Sequence, residues 1–374
     1  MPTPYKKIAD EKDVKGKKIL LRLDLNVPVV GGEVRDDFRI RRSIPTVKML
    51  RDKGAKVIIV SHIESEMTDS LGRIAAYMAK DVPIKAFVAK LEDAGQVADA
   101  MQDGDVIMLE NLRKDPGEKA NDPVFAGRLA SLADYYVNDA FAVSHREHAS
   151  IVSVPRLLPH FAGPLLAEEI EQLSKSFNPP HPFLFVLGGA KVETKLPLIE
   201  KFLTIADYVF VGGALANDIY KEKGYEVGLS RVAKTPVNLK HIEKNPRLMV
   251  PTDVVVSSPL EKVVRSPEQV GPGEKIVDAG PRTGSELSDL LNEIEFVLWN
   301  GPLGDYERGF NDGTEALARA IADSHAKSII GGGDTIAALA KTGLLDTFTF
   351  VSTGGGAMVE FLGKGTLPGI DALA

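Results

Sequence analysis

The stretch "SIIGGGDTIAALA", residues 328–340, sets three glycines, Asp334 and Thr335 between an apolar run and a helical pattern. Bare backbone lets a phosphate approach amide N–H groups, and a helix amino terminus adds partial positive charge. Asp334 would repel that phosphate unless a cation came between them. A hard ion that shares phosphates with one or two acids is Mg2+. The other reading of Asp334 is a helix N-cap. "FTFVSTGGGAMVEFL", residues 348–362, nearly repeats the junction. Gly188–Gly189, Gly212–Gly213 and Gly301 also end apolar runs. One such pair is ordinarily a tight strand-to-helix turn, but this many in one half point to a polyanion held by amides. No Walker loop and no G-x-G-x-x-G fingerprint is present.

"GGAKVETKLPLIEKF" places Lys191 and Lys195 four residues apart at a helix start. Cations are unfavourable there, so contact with an anion is the better account, with solvated surface lysines as the alternative. Glu307, in "WNGPLGDYERGF", is either a surface acid or an acceptor for ribose hydroxyls. The first half offers side chains instead of glycines: Asp24, Asn26, Arg39, His62, Arg113 and Arg146. Arginines and a histidine gathered at strand ends suit a small ligand carrying a phosphate and a carboxylate, because guanidinium pairs both bidentately.

Those residues need elements to position them. Short β-branched runs such as "KKILLRLDLN", "KVIIVSH", "DVIMLEN", "PFLFVLGGAK", "DVVVSS" and "EFVLWNG" alternate with helical patterns. Continuous apolar strands alternating with helices predict parallel sheets covered on both faces, about ten strands in two sheets. Ligands then sit beyond the strands' carboxyl ends. The apolar spacing of Ile40, Ile44, Val47 and Leu50 predicts a helix capped by Gly54. An amphipathic helix over 165–177, flanked by prolines, serves as the linker between two domains. With 374 residues, two domains are the natural expectation.

Composition excludes other classes. There are no cysteines, so disulfides and thiolate metal sites are impossible and a reducing cytoplasm fits. The polar start resembles no signal peptide, and no apolar run reaches the roughly 20 residues of a membrane helix. A net charge of −7 argues against nonspecific nucleic-acid binding. The seven histidines show no zinc-binding spacing, and no G-x-S-x-G elbow appears.

Taken in order, "RLDLNVP", "DDFRIRRSIPT", "LENLR", "VNDAFAVSHREHAS", "LGGAKVETK", "GGALAND", "LWNGPLGDYE", "GGGDT", "STGGGAMVEFL" and "LPGI" resemble the phosphoglycerate kinase family from end to end. The resemblance implies an α/β fold of two Rossmann-like domains, each a parallel sheet flanked by helices, joined by a hinge helix. Residues 1–162 with the tail 366–374 would bind 3-phosphoglycerate, and 163–365 would bind the nucleotide. Asp24, Asn26, Arg39, His62, Arg113 and Arg146 would contact the acid substrate. Lys191, Lys195, Gly212, Gly213, Asn300, Glu307, Gly332, Gly333, Asp334 and Thr335 would hold ATP or ADP, with Asp334 on Mg2+. Arg39, Lys195 and Gly355 would attend the transferring group. The implied reaction is reversible, Mg-dependent transfer between 1,3-bisphosphoglycerate and ADP, in a cytoplasmic monomer whose domains close and align donor with acceptor. The acceptor is a carboxylate, ionised near neutrality, so no strong general base is required.

One segment departs from the family. "SHIESEMTDSLGR" keeps His62 but has Glu64 where glycine is expected and Ser65 where arginine is expected. A lost charge-assisted contact costs on the order of 1.5–3 kcal/mol. Asp305 and Tyr306 also stand where apolar and phenylalanine residues are usual. Two alternatives therefore stay open: a nucleotide-binding relative with another acid substrate, and an impaired binding protein.

Overall fold

"KILLR" and "KVIIV" carry no polar face, so they are stable only as strands covered on both sides. The structure, a computed structural model, describes residues 5–64, 68–190, 192–234, 237–257 and 262–374. The chain divides into two compact units, Met1–Glu171 with Lys364–Ala374, and Gln172–Gly363.

The first unit is built on a six-stranded parallel sheet. Its strands are β1 (Lys18–Arg22), β2 (Lys56–Val60), β3 (Ala86–Val88), β4 (Val106–Leu109), β5 (Tyr135–Asn138) and β6 (His160–Ala162), in the order β3-β4-β2-β1-β5-β6. Ile19, Leu21, Val57 and Ile59 are buried against Ile40, Val47 and Leu50 of the helix Phe38–Asp52. That helix ends as its apolar spacing predicts, with Gly54 at φ +80°. Register fixes the chemistry: Arg22 lies opposite Val60 on one side and Asn138 on the other. Asp24, His62 and Asp139 therefore leave the sheet along one edge. The C-terminal residues pack in this unit, where Gly369 N donates to Ser144 O at 2.8 Å. Ala372 joins a small apolar cluster with Val143 and Ile151.

The second unit holds another six-stranded parallel sheet. Its strands are β7 (Phe183–Leu187), β8 (Tyr208–Val211), β9 (Leu248–Met249), β13 (Phe296–Asn300), β14 (Lys327–Gly331) and β15 (Phe350–Val351), ordered β9-β8-β7-β13-β14-β15. Here Asn300 pairs in register with Leu187 and Gly331, so the glycine turns after all three strands share an edge. A separate three-stranded sheet contains β10 (Val254–Ser257), β11 (Lys262–Arg265) and β12 (Lys275–Ala279), all antiparallel. "DVVVSS" is thus not a strand of a parallel sheet. Only residues 258–261 separate β10 from β11, and a parallel crossover needs a dozen or more. The linker pattern forms the helix Pro164–Ser174, continued by a 3-10 turn at Lys175–Phe177, and the division between the units falls within that helix.

Candidate functional site

In the first unit, the residues beyond β1, β2 and β4 converge. Asp24 is buried and pairs with Arg39 Nη1 at 3.0 Å, while the same Nη1 donates to Asn26 O at 2.9 Å. Arg39 sits in the first turn of its helix, where an isolated cation is unfavourable, so Asp24 offsets the dipole as well. Asn26 Oδ1 accepts the amide of Glu64 at 2.9 Å. His62 is fully enclosed, and Arg22 Nη2 lies 3.2 Å from its Nδ1. Burial first, then the charges of Arg22, Arg113, Arg146 and Arg39, push the imidazole far below its usual pKa. All six expected acid-site residues are therefore linked here by bonds or charge, and Asn26 also ties the loop to them.

Arg113 is the most exacting of the set. Its side chain is 3% exposed, and among the described residues Nε and Nη2 have no hydrogen-bond partner. Burial and the neighbouring Arg146 lower its pKa, with Glu64 acting the other way. Glu64 Oε2 forms a close ion pair with Arg113 Nη1. Such a guanidinium is costly to bury without acceptors.

Sequence reasoning missed several contributors. Arg22 lies inside an apolar strand and is wholly buried; its Nε donates to Ser150 Oγ at 2.9 Å. Ser150 in turn donates from N and Oγ to buried Glu118, at 2.9 and 2.6 Å. Glu118 thus supplies negative charge beneath the arginines. His148, which the segment "NDAFAVSHREHAS" did offer, is pushed down to about 4 by burial and by Arg113 and Arg146. The signal available for Arg22 was a charge closing an apolar run; Glu118 gave none. Arg41 and Arg42, near the altered loop in sequence, pair with Asp37 and Glu168. Ser65 lies outside the described residues.

In the second unit, a cavity of about 420 Å³ is lined by Gly189, Gly213, Lys275, Tyr306, Glu307 and Asp334, among others. Ligand pockets typically span about 300–1,000 Å³. Lys195 is half-buried beside it and donates to Gly188 O at 2.7 Å. Burial lowers its pKa to about 8, and the charge of Asp334 opposes that shift. Asp334 occupies the first turn of the helix Gly333–Leu339, and Tyr306 Oη donates to its Oδ1 at 3.4 Å. Burial first, then Asp334 and Glu307, raise the Tyr306 phenol to about 12.

The glycines separate into two kinds. A Cβ on Gly188 would fall 2.3 Å from Pro302 O, and one on Gly213 would fall 2.7 Å from Gly189 N. These positions need glycine because backbones touch. Gly212 is similar, since its Cβ would meet Leu303. By contrast, nothing lies within 4 Å of a Cβ on Gly333. A Cβ on Gly355 would lie 3.6 Å from Gly333 N, so the starts of the helices Gly333–Leu339 and Gly355–Lys364 converge. Gly332, at φ +104°, makes the turn from β14 into the first of these helices possible. Thr335 is buried, donating to Gly331 O at 3.0 Å and accepting Gly301 N at 2.8 Å. Asn300 is also buried, near Met358. Both lie under the cavity edge and outside its lining. Lys191 is outside the described residues. Among the described residues no cluster of three or more acidic or histidine side chains could cage a metal. No helix is long and apolar enough to cross a membrane among them.

A family model described as "Phosphoglycerate kinase" matches residues 9–364. The chain belongs to the phosphoglycerate kinase family. A phosphoglycerate kinase of Roseiflexus sp. (strain RS-1) is 39% identical, with 98% of this chain and 99% of the relative covered. One from Pelotomaculum thermopropionicum is 40% identical with the same coverage. Among solved structures, phosphoglycerate kinase from Coxiella burnetii matches with a TM-score of 0.84 and 36% identity, covering 99% of both chains. That from Pyrococcus horikoshii OT3 gives 0.86 and 31%, covering 98% of both. Both strand-end constellations are therefore features of a phosphoglycerate kinase-family chain, and the expected kinase class stands.

Proposed function

We propose that this chain catalyses reversible phosphoryl transfer between 1,3-bisphosphoglycerate and ADP, giving 3-phosphoglycerate and ATP. The observation that carries the acid half is the gathering of Arg22, Arg39, Arg113 and Arg146 around His62, with Nε and Nη2 of Arg113 lacking hydrogen-bond acceptors among the described residues. A phosphate or carboxylate would supply those acceptors in pairs, which guanidinium favours. Neutral His62 contributes hydrogen bonding without adding charge, and Asp24 keeps Arg39 oriented.

The second unit is the proposed nucleotide side. Glu307 lines the cavity where ribose hydroxyls need an acceptor. The amide of Gly333, a residue with open space on its Cβ side, would meet phosphate. Lys195 would give its proton-bearing ammonium to the transferring group. Asp334 offers one carboxylate without a protein cage around it, which fits Mg2+ brought in on nucleotide phosphates. When bound, that ion would neutralise phosphate charge. The remaining work falls to the chain: orienting two anions in line and stabilising spread charge with arginine, lysine and amides. The family match over nearly the whole chain disfavours an altered or inactive relative.

The test is a coupled assay with purified protein, 1,3-bisphosphoglycerate and Mg-ADP. ATP formation that falls by two orders of magnitude or more in Lys195→Ala and Arg39→Ala is expected. No ATP formation at millimolar substrates, with ADP binding retained, overturns the proposal.

A further inference from the structure

A cavity of about 520 Å³ in the first unit is lined by Ile63, Glu64, Asn111, Arg113 and Lys119, among others. Glu64 bridges two of its cations. Its Oε2 pairs with Arg113 Nη1, and its Oε1 accepts from Lys119 Nζ at 2.6 Å. Its own amide is anchored on Asn26 Oδ1, so the residue cannot drift from the pocket's mouth. The two partners differ in freedom. The Glu64 side chain is 45% exposed, whereas Arg113 is enclosed. The carboxylate can swing into water, but the guanidinium must stay.

We infer that Glu64 is a tethered anion that competes with the acid substrate for Arg113, and so sets the affinity of this pocket. The inference rests on the reading of Arg113 as a substrate contact. An incoming phosphate or carboxylate must displace the Glu64 carboxylate before it can pair with the guanidinium. A ligand tied to the same chain competes at a high effective concentration. It therefore weakens every substrate anion that uses Arg113 and leaves nucleotide binding untouched. The Lys119 bond and the nearby Arg113 charge hold the Glu64 pKa below its usual value, so the competitor is ionised throughout the neutral range.

The experiment compares wild type with Glu64→Gln and Glu64→Gly in steady-state assays with 3-phosphoglycerate and Mg-ATP. The expected result is a KM for 3-phosphoglycerate lowered about tenfold, ~1.4 kcal/mol, in both variants, with the KM for Mg-ATP within twofold. In an Arg113→Ala background, Glu64→Gln is expected to have less than a twofold effect, because the contested group is gone. A KM for 3-phosphoglycerate that is unchanged or raised in both single variants overturns the inference. Arg113→Ala itself separates the two layers. If it raises that KM while Glu64→Gln does nothing, the competitor idea alone fails. If Arg113→Ala leaves the KM unchanged, the acid-site reading fails with it.

Discussion

The ammonium of Lys195 donates a 2.7 Å hydrogen bond to the carbonyl oxygen of Gly188, in the turn that ends β7. That turn cannot move, because the Gly188 backbone is pressed against Gly301 and Pro302. The lysine is therefore aimed by a rigid acceptor, and its surroundings half-bury it.

Its pKa of about 8 gives the first prediction. Lysine is charged below its pKa and neutral above it. The positive charge offered to phosphate is therefore lost as pH rises through about 8 in the free enzyme. The profile of kcat/KM for Mg-ADP, which reports the free enzyme, is expected to fall above that pH. In Lys195→Arg, whose guanidinium stays protonated, that limb is expected to disappear whatever the residual rate. A wild-type profile flat to pH 9.5, or the same limb in the arginine variant, counts against the assignment.

The glycines give a contrast within one sheet edge. Gly188→Ala places a methyl group 2.3–2.4 Å from two backbone oxygens that cannot retreat as a side chain would. Overpacking of this kind costs about 1–3 kcal/mol, or more where backbone must shift. Each kcal/mol lowers Tm by roughly 2–4 °C in a unit of this size. Gly333→Ala meets open space at an ordinary φ, so its Tm is expected to stay within about 1 °C of wild type. Its cost should appear as a raised KM for Mg-ADP, since the methyl group crowds the proposed phosphate approach. Calorimetry and kinetics on the two variants check this. An equal loss of Tm in both would dissolve the distinction between packing glycines and ligand glycines.

Glycine punctuation explains why so much was legible. Apolar runs that end in Gly-Gly or in Asp, Asn and His mark strand ends, and parallel strands place their ends on one edge. The spacing around "SIIGGGDT" was thus enough to bring Asp334 to the lining of a cavity. Spacing said nothing about which glycines touch backbone, because Gly188 and Gly301 are 113 positions apart yet a Cβ on either would lie 2.3–2.4 Å from the other's carbonyl oxygen. Nor did it reveal Glu118 under Arg22, since a buried acid on a short helix looks like a surface one. The Glu64 substitution could be read only as added negative charge. Its grip on Lys119, 55 residues away, depends on tertiary approach. The antiparallel sheet around Val254–Ser257 escaped because "DVVVSS" has the same apolar profile as a buried parallel strand.

The last prediction concerns Arg22 and His62. Arginine donates and cannot accept, so the 3.2 Å contact requires Nδ1 of His62 to be the acceptor. The proton of the neutral ring then sits on Nε2, free to be offered to a ligand anion. Enclosure and four nearby guanidinium charges hold the ring neutral, with its pKa far below 6.5. Nitrogen-15 NMR of His62 is expected to show the Nε2–H tautomer with no titration between pH 5 and 8. Arg22→Met removes both the donor and one charge. It is expected to mix the tautomers and raise the KM for 3-phosphoglycerate, while the KM for Mg-ADP holds. The same variant strands Glu118 beneath the site, so a fall in Tm is expected as well. A wild-type imidazole that titrates near pH 6.5, or a single Nδ1–H tautomer, would show that Arg22 does not orient it.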